Sequence, residues 1–165
     1  MADELAAGEL SLRALDVSDA PELHLIFSDP ATHTIGEGPK SSIADTRQWL
    51  RRRDERRREY GVTWYGVRDD DGTLIGNAGL FIGRTGVEPE IGFEIRAVDQ
   101  GKGYGTRAAA AVVAEAHRAG WTRIWATVRP TNAAPLQALT RAGFVSDRTE
   151  DEGRGSLVYL YHRQN

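Results

Sequence analysis

Cysteine is absent from this chain of 165 residues. With it go a thiol nucleophile, a thiolate zinc site, a cysteine-held iron–sulfur cluster and any disulfide framework. Long apolar runs are missing too: the longest, Ala108 to Ala114, falls far short of the roughly 20 residues that span a bilayer. No membrane partner is expected. Neither sign of charge dominates, since 21 Lys and Arg face 24 Asp and Glu for a formal net charge of -3. A nearly balanced chain exerts no general pull on phosphate backbones, so nucleic acid is not expected as a primary partner. The stretch Met1 to Leu10 has acids but no basic run and no apolar segment of signal-peptide length, so it is expected to stay on a cytoplasmic protein. Repeats, low-complexity tracts and linker-like segments are also lacking, and residues 1–165 read as one domain.

Within that frame, the patterning predicts a mixed α/β fold. Leu10, Leu12 and Ala14 alternate with Ser11 and Arg13 as a strand. Ser18 opens a short helix burying Leu23, Ile26 and Phe27, and Ser28 to Lys40 reads as loop. Ser42 with Asp45 resembles a capping box for a helix to about Tyr60. Strand-like runs follow at Val62–Arg68, Leu74–Ile82 and Val87–Arg96. Asp70, Asp71 and Gly72 mark a hairpin turn between the first two, so an antiparallel meander is expected. Thr106–Arg118 reads as a helix ended by Gly120, and Arg123–Arg129 as a strand. A short helix runs from Asn132 to Gly143, and strands at Phe144–Ser146 and Leu157–His162 close the sheet. About seven strands and about four helices in this order indicate a mostly antiparallel central sheet rather than a repeating parallel unit.

The most informative segment joins Ile91-Gly92-Phe93-Glu94-Ile95 to Gln100-Gly101-Lys102-Gly103-Tyr104-Gly105-Thr106 and then to a helix. Glycines between a strand and a helix let backbone N–H groups turn toward one point, where the helix N-terminus adds about half a positive charge. Such a point suits a phosphate. A P-loop does not fit, because no Gly-Lys-Ser/Thr run closes the segment. A dinucleotide fingerprint also fails: Thr106 stands at its third glycine, and Thr127, Val128 and Arg129 stand where an acid is required.

Gln100-x-x-Gly103-x-Gly105 resembles the coenzyme A pyrophosphate loop of the GNAT superfamily of N-acetyltransferases. Asn132 followed by a short helix and Arg141-Ala142-Gly143-Phe144 is similar to that family's carboxy-terminal segment. Ile91-Gly92-Phe93 and Gly101 to Gly105 look most like the branch of ribosomal-protein alanine acetyltransferases. The resemblance is specific from about Glu90 to Phe144. It implies acetyl-CoA as acyl donor, and a pantetheine arm bonded by the backbone of Phe93, Glu94 and Ile95 where the fourth and fifth predicted strands part. It further implies a pyrophosphate on Gln100, Gly101, Lys102, Gly103, Tyr104, Gly105 and Thr106, with Asn132 near the pantetheine. Lys102 or Arg107 would lie near the outer phosphates. An amine acceptor follows, either a small molecule or a protein N-terminus, and a homodimer is plausible by analogy.

An alkyl ammonium titrates near pH 10 or so, so acetylating it at neutral pH requires a proton acceptor. Glu90 and Glu94 are the candidates. They share one face of a strand with Gly92, while Ile91, Phe93 and Ile95 share the other. Glu90 comes first, because Glu-Ile-x-Phe resembles the base position of the histone-acetylating relatives. The bland alternative for both is a solvated outer sheet face. The family's usual leaving-group partners are missing: Leu139 stands where relatives carry Tyr and Pro135 where they carry Ser. Water, Thr140 or Tyr104 could take that role. A backbone N–H near Ile95 would meet the oxyanion.

Several features read as structural. Arg51 to Arg53 and Arg56 to Arg58 interleave with Asp54, Glu55 and Glu59 at helix-neighbour spacing, as on a salt-bridged solvated face. The tryptophans suit core packing, although Trp64 or Tyr65 could line an acceptor pocket. His24, His33, His117 and His162 have no metal-ligand spacing, so no metal is assigned; His33 could still meet substrate. The rival reading is a coenzyme A-binding sensor with little or no turnover. A weaker one is an RNA-associated protein acting through the arginine-rich helix.

Overall fold

The computed structural model describes residues 1–31 and 38–165. Its strands are β1 (Glu4–Ala7), β2 (Leu10–Ala14), β3 (Trp64–Arg68), β4 (Leu74–Ile82), β5 (Pro89–Ile95), β6 (Arg123–Val128), β7 (Val145–Asp151) and β8 (Ser156–Arg163). The helices are α1 (Ala20–Phe27), α2 (Ile43–Tyr60), α3 (Tyr104–Arg118) and α4 (Ala133–Arg141). The strands form one 8-stranded sheet in the order β1-β2-β3-β4-β5-β6-β8-β7. Every neighbouring pair is antiparallel except β5 and β6. The expected meander is therefore β3-β4-β5.

The main core lies between the sheet and α3. Leu12, Tyr65, Val67, Ala78, Leu80, Ile91 and Ile95 meet Ala108, Ala109, Val112 and Ala116 there. A smaller cluster on α1 and α2 joins Leu23, Ile26, Phe27, Leu50 and Leu74. Each large aliphatic side chain buried in this way contributes roughly 1.5–3 kcal/mol. Helix α2 is gripped lightly, with only Thr46 and Leu50 buried along its 18 residues. Its N-terminus is secured as expected, the Ser42 hydroxyl accepting from the Asp45 N–H at 3.2 Å. At its other end Gly61 takes a left-handed conformation with φ 73°, which a glycine adopts without steric cost.

Two strands depart from the patterning. β1 was not expected, because Glu4-Leu5-Ala6-Ala7 has little β propensity; it forms by pairing with β2 across a tight turn at Gly8, whose φ is 67°. β7 runs on to Asp151 with all of its residues exposed. No apolar alternation marks it, and backbone pairing with β8 holds it in place. The segment Asp16 to Asp19 is also tighter than expected: Val17–Asp19 forms a 3-10 turn with a reciprocal cap between Asp16 and Asp19, and α1 starts after it. No helix among the described residues is long and apolar enough to cross a membrane.

The parting of β5 and β6 positions everything that follows. These parallel strands are in register only at Glu90 and Trp125. Beyond that point β5 continues to Ile95 along β4 alone. The gap opens beside the last residues of β5 and is walled by α4 and the loop before α3.

Candidate active site

The loop after β5 is built as an uncapped helix start. Gly101 and Gly103 have φ of 79° and 78°, values that favour glycine. Nothing lies within 4 Å of a side-chain carbon placed at either, so their glycine requirement is conformational. Gly105 is different: a Cβ there would stand 3.3 Å from the Phe93 ring, and its absence lets α3 approach β5. No side chain caps α3. The first N–H groups of a helix have no intrahelical partner, so at this point they face outward with the helix dipole behind them.

Side chains brace the same loop. The Gln100 amide donates to the Ile95 carbonyl at 2.9 Å, tying the loop to the end of β5. Asp99 accepts from Arg96 and, at 3.0 Å, from Lys102. Burial pushes the Asp99 carboxyl up, but these partners outweigh it and hold it below the usual carboxylate range. Arg107 donates to the Lys102 carbonyl at 3.1 Å and pairs with Glu9 at 3.1 Å.

A cavity of about 250 Å³ is lined by Phe93, Glu94, Ile95, Gln100, Gly101, Gly103, Tyr104, Gly105, Thr106 and Asn132. A second, of about 270 Å³, lies toward β6 and is lined by Phe81, Arg84, Glu90, Glu94, Thr127 and Leu139, among others. Phe93, Glu94, Asn132 and Pro135 line both. The two cavities are thus halves of one cleft where β5 and β6 part, with Glu94 at the junction. Asn132 occupies the N-cap position of α4 without making a capping bond.

The two glutamates differ in their surroundings. Glu90 is 3% exposed. Its Oε1 accepts from Thr127 at 2.6 Å and from the Arg84 guanidinium at 3.3 Å. Its Oε2 accepts from the Arg84 backbone N–H at 3.3 Å. Arg84 also grips Glu152 through two nitrogens at 3.0 and 3.3 Å. Glu94 instead accepts from the Asn77 amide at 2.9 Å. Glu90, Gly92 and Glu94 do share a face, but it is not a solvated one: a Cβ at Gly92 would meet the Trp64 ring at 2.6 Å.

The loop residues expected from the sequence, Gln100 to Thr106, lie with Phe93, Glu94, Ile95 and Asn132 around the cleft, although Lys102 is turned to Asp99 and does not line it. Glu90 lines the β6-side half only. Tyr65 is fully buried, its hydroxyl donating to the Ala2 carbonyl, and Trp64 lies beneath Gly92 rather than lining either cavity. Thr140 is exposed and donates to Leu136 of its own helix. His33 lies outside the described residues. Arg84, Asn77 and Thr127 were missed. Only Asn77 had a signal, as a polar residue inside the apolar run Leu74 to Leu80.

Residues 9–145 match the family model described as an acetyltransferase (GNAT) domain. No curated protein sequence matches the chain. Solved structures with the same fold include a GnaT-family acetyltransferase from Bordetella pertussis, with TM-score 0.84 at 18% identity over 98% of this chain and 99% of that one. The RimL ribosomal L7/L12 alpha-N-protein acetyltransferase, solved in complex with coenzyme A, gives TM-score 0.85 at 17% identity over 97% of each chain. The ribosomal-protein-S5-alanine acetyltransferase from Vibrio fischeri gives 0.82 at 20% identity over 98% of this chain and 97% of that one. The family match takes in the glycine loop, both glutamates and Asn132, and on that ground the chain belongs to the GNAT acetyltransferase family.

Proposed function

We propose that this protein is an acetyl-CoA-dependent N-acetyltransferase that moves the acetyl group to a primary amine by direct attack within a ternary complex. The observation that carries the reading is the continuous cleft between β5 and β6, with an uncapped helix start at one end and Glu94 at its middle. The open space around Gly101 and Gly103 suits a pyrophosphate approaching the backbone. The backbone of Phe93 to Ile95, unpaired to β6, offers hydrogen bonds to a pantetheine arm. Asn132 stands across the cleft from that backbone, and Gln100 holds the two sides of the loop together.

The acceptor enters from the half lined by Phe81, Arg84 and Glu90. Its amine must lose a proton, form the new C–N bond at the thioester carbonyl and let the C–S bond break. Glu94 takes the proton, because it stands where the two halves meet, whereas Glu90 lines the β6-side half only. This ordering reverses the one that the Glu-Ile-x-Phe resemblance suggests. Glu90 instead anchors Arg84 at the acceptor mouth. A backbone N–H near Ile95 meets the oxyanion. The thiolate leaves to water or to Tyr104, which lines the cleft. Among the described residues lining the half toward β6, the carboxylates Glu90 and Glu94 stand against the guanidinium of Arg84, which favours a cationic acceptor.

Calorimetric titration with acetyl-CoA and with coenzyme A tests the donor site before any acceptor is chosen, and micromolar binding, about -8 kcal/mol, is expected. Thiol release with an alanine-initiated peptide, spermidine and kanamycin then tests transfer. Absence of binding overturns the reading. Binding without transfer to any amine favours the rival, a coenzyme A-binding module, for which the observation is that Leu139 and Pro135 line the cleft where hydroxyls would serve a leaving group.

A further inference from the structure

A polar path crosses the sheet beneath Glu94. The Trp64 indole N–H on β3 donates to Asn77 Oδ1 at 2.9 Å. The amide of Asn77 on β4 then donates to Glu94 Oε1 on β5 at 2.9 Å. An indole nitrogen can only donate, so the oxygen of the Asn77 side chain must face Trp64 and its NH₂ must face Glu94. The orientation of the amide is therefore determined by chemistry. Asn77 is 2% exposed, and a buried polar group with both ends satisfied is costly to rearrange.

The indole itself is clamped. Trp49 of α2 meets it edge-on at 5.3 Å and Phe81 at 6.0 Å. The Arg53 guanidinium lies over both tryptophan rings, at 4.7 and 5.4 Å from their centres. A Cβ at Gly79 would stand 2.5 Å from the Trp64 backbone, and one at Gly92 2.6 Å from its ring. Glycines at both positions leave the ring its seat.

We infer that Asn77 and Trp64 are positioning residues, which aim the Glu94 carboxylate at the junction of the two half-cavities. The inference rests on Glu94 being the proton acceptor. It gives the lightly packed helix α2 a route to the reacting group, through Trp49 and Arg53. Among the described residues the charged and titratable groups around the same cleft are Glu90 on β5, Arg84 after β4, Asp99 before the loop, Tyr104 on α3 and Arg141 on α4, with Arg53 of α2 over the Trp64 ring, and none of them is altered in the test.

The test compares Asn77→Asp, Asn77→Ala and Trp64→Phe, alone and combined with Glu94→Gln. In Asn77→Asp a second carboxylate sits at hydrogen-bond distance from Glu94, so the two share a proton and titrate as a coupled pair, and the Glu94 titration curve, read from its carboxyl carbon by NMR, is displaced from the wild-type curve by about one pH unit or more. That readout needs no acceptor. In turnover with whichever probe amine is acetylated, Trp64→Phe and Asn77→Ala lower kcat by roughly tenfold without changing KM for acetyl-CoA. In the Glu94→Gln background they cost nothing more. An unmoved Glu94 titration in Asn77→Asp, or equal losses in both backgrounds, overturns the relay while leaving Glu94 as base. Full activity of Glu94→Gln overturns the base instead. Should Asn77→Asp fail to fold, Trp64→Phe carries the cycle, since it keeps an aromatic ring in the same seat.

Discussion

At the scale of single residues, glycines in this protein are required for two unrelated reasons. Gly103 has room for a side chain but the wrong φ for one, 78°. Gly103→Val is expected to destabilise the fold by about 1–2 kcal/mol, and Gly103→Asn by less, because Asn tolerates the left-handed region. Denaturant melts of the two variants check the order, and acetyl-CoA titration should weaken with it. Gly92 has an unremarkable φ but no room, with the Trp64 ring 2.6 Å from any Cβ. Gly92→Ala is expected to cost about 1–3 kcal/mol by overpacking. A thermal melt reads that loss, and turnover should fall with it because Trp64 orients Asn77.

At the scale of elements, the attachment of helices to the sheet decides what can move. α2 is held by one fully buried aliphatic, Leu50, by a hydrogen bond between Thr46 and His24 at 2.8 Å, and by Trp49, whose ring meets those of Phe27 and Trp64 edge-on. Leu50→Ala should therefore cost about 2–5 kcal/mol, and hydrogen exchange should rise first along α2. The end of α3 is tied to β8 differently, by His117 Nε2 and His162 Nδ1 at 2.9 Å. Burial, and then the neighbouring His117 charge, push the His162 imidazole below its ordinary value of 6.5. The folded state thus prefers the neutral ring. Below pH 6.5 the unfolded chain binds the proton more readily, so stability falls as pH drops from the unfolded value through the lowered folded one. Urea midpoints should be lower at pH 5.5 than at pH 7.5, and His162→Gln should shrink that difference. An unchanged difference in the variant would mean that other groups set the acid limb.

For the molecule as a whole, the split sheet makes ligand binding a stability term. β5 and β6 share a single register pair, and the cleft between them is lined from β5, α3 and α4. A ligand that bridges these walls binds only the folded chain. At about 100 times its Kd, acetyl-CoA is expected to add about 2.7 kcal/mol. For a chain of this length that corresponds to a rise in Tm of roughly 5–11 °C. A thermal-shift series with acetyl-CoA measures it, and a flat response at saturating concentrations would contradict the donor site. The same view explains which strands were legible. Strands β3, β4 and β5 carry alternation or apolar runs bounded by turns, whereas β1 and β7 owe their existence to neighbours.

What the sequence determined by itself was local: the strand running into a glycine loop and a helix, Asn132 opening a short helix, the Gly143-Phe144 exit, and the order of elements. Such features are written in contiguous residues, because φ preference, capping and apolar period act over a turn or two. Only the tertiary structure set the two glutamates apart, Glu94 at the junction of the half-cavities and Glu90 against Arg84 and Thr127 in the β6-side half, since that depends on partners brought from afar by sheet register. Arg84 reaches Glu152 from 68 positions away and Thr127 reaches Glu90 from 37. Asn77 and Glu94 meet as register partners on β4 and β5, and Trp64, whose own partner is Gly79, reaches Asn77 on the diagonal. Hydrogen bonds of this kind leave no period in the chain, and they form only when the sheet has closed.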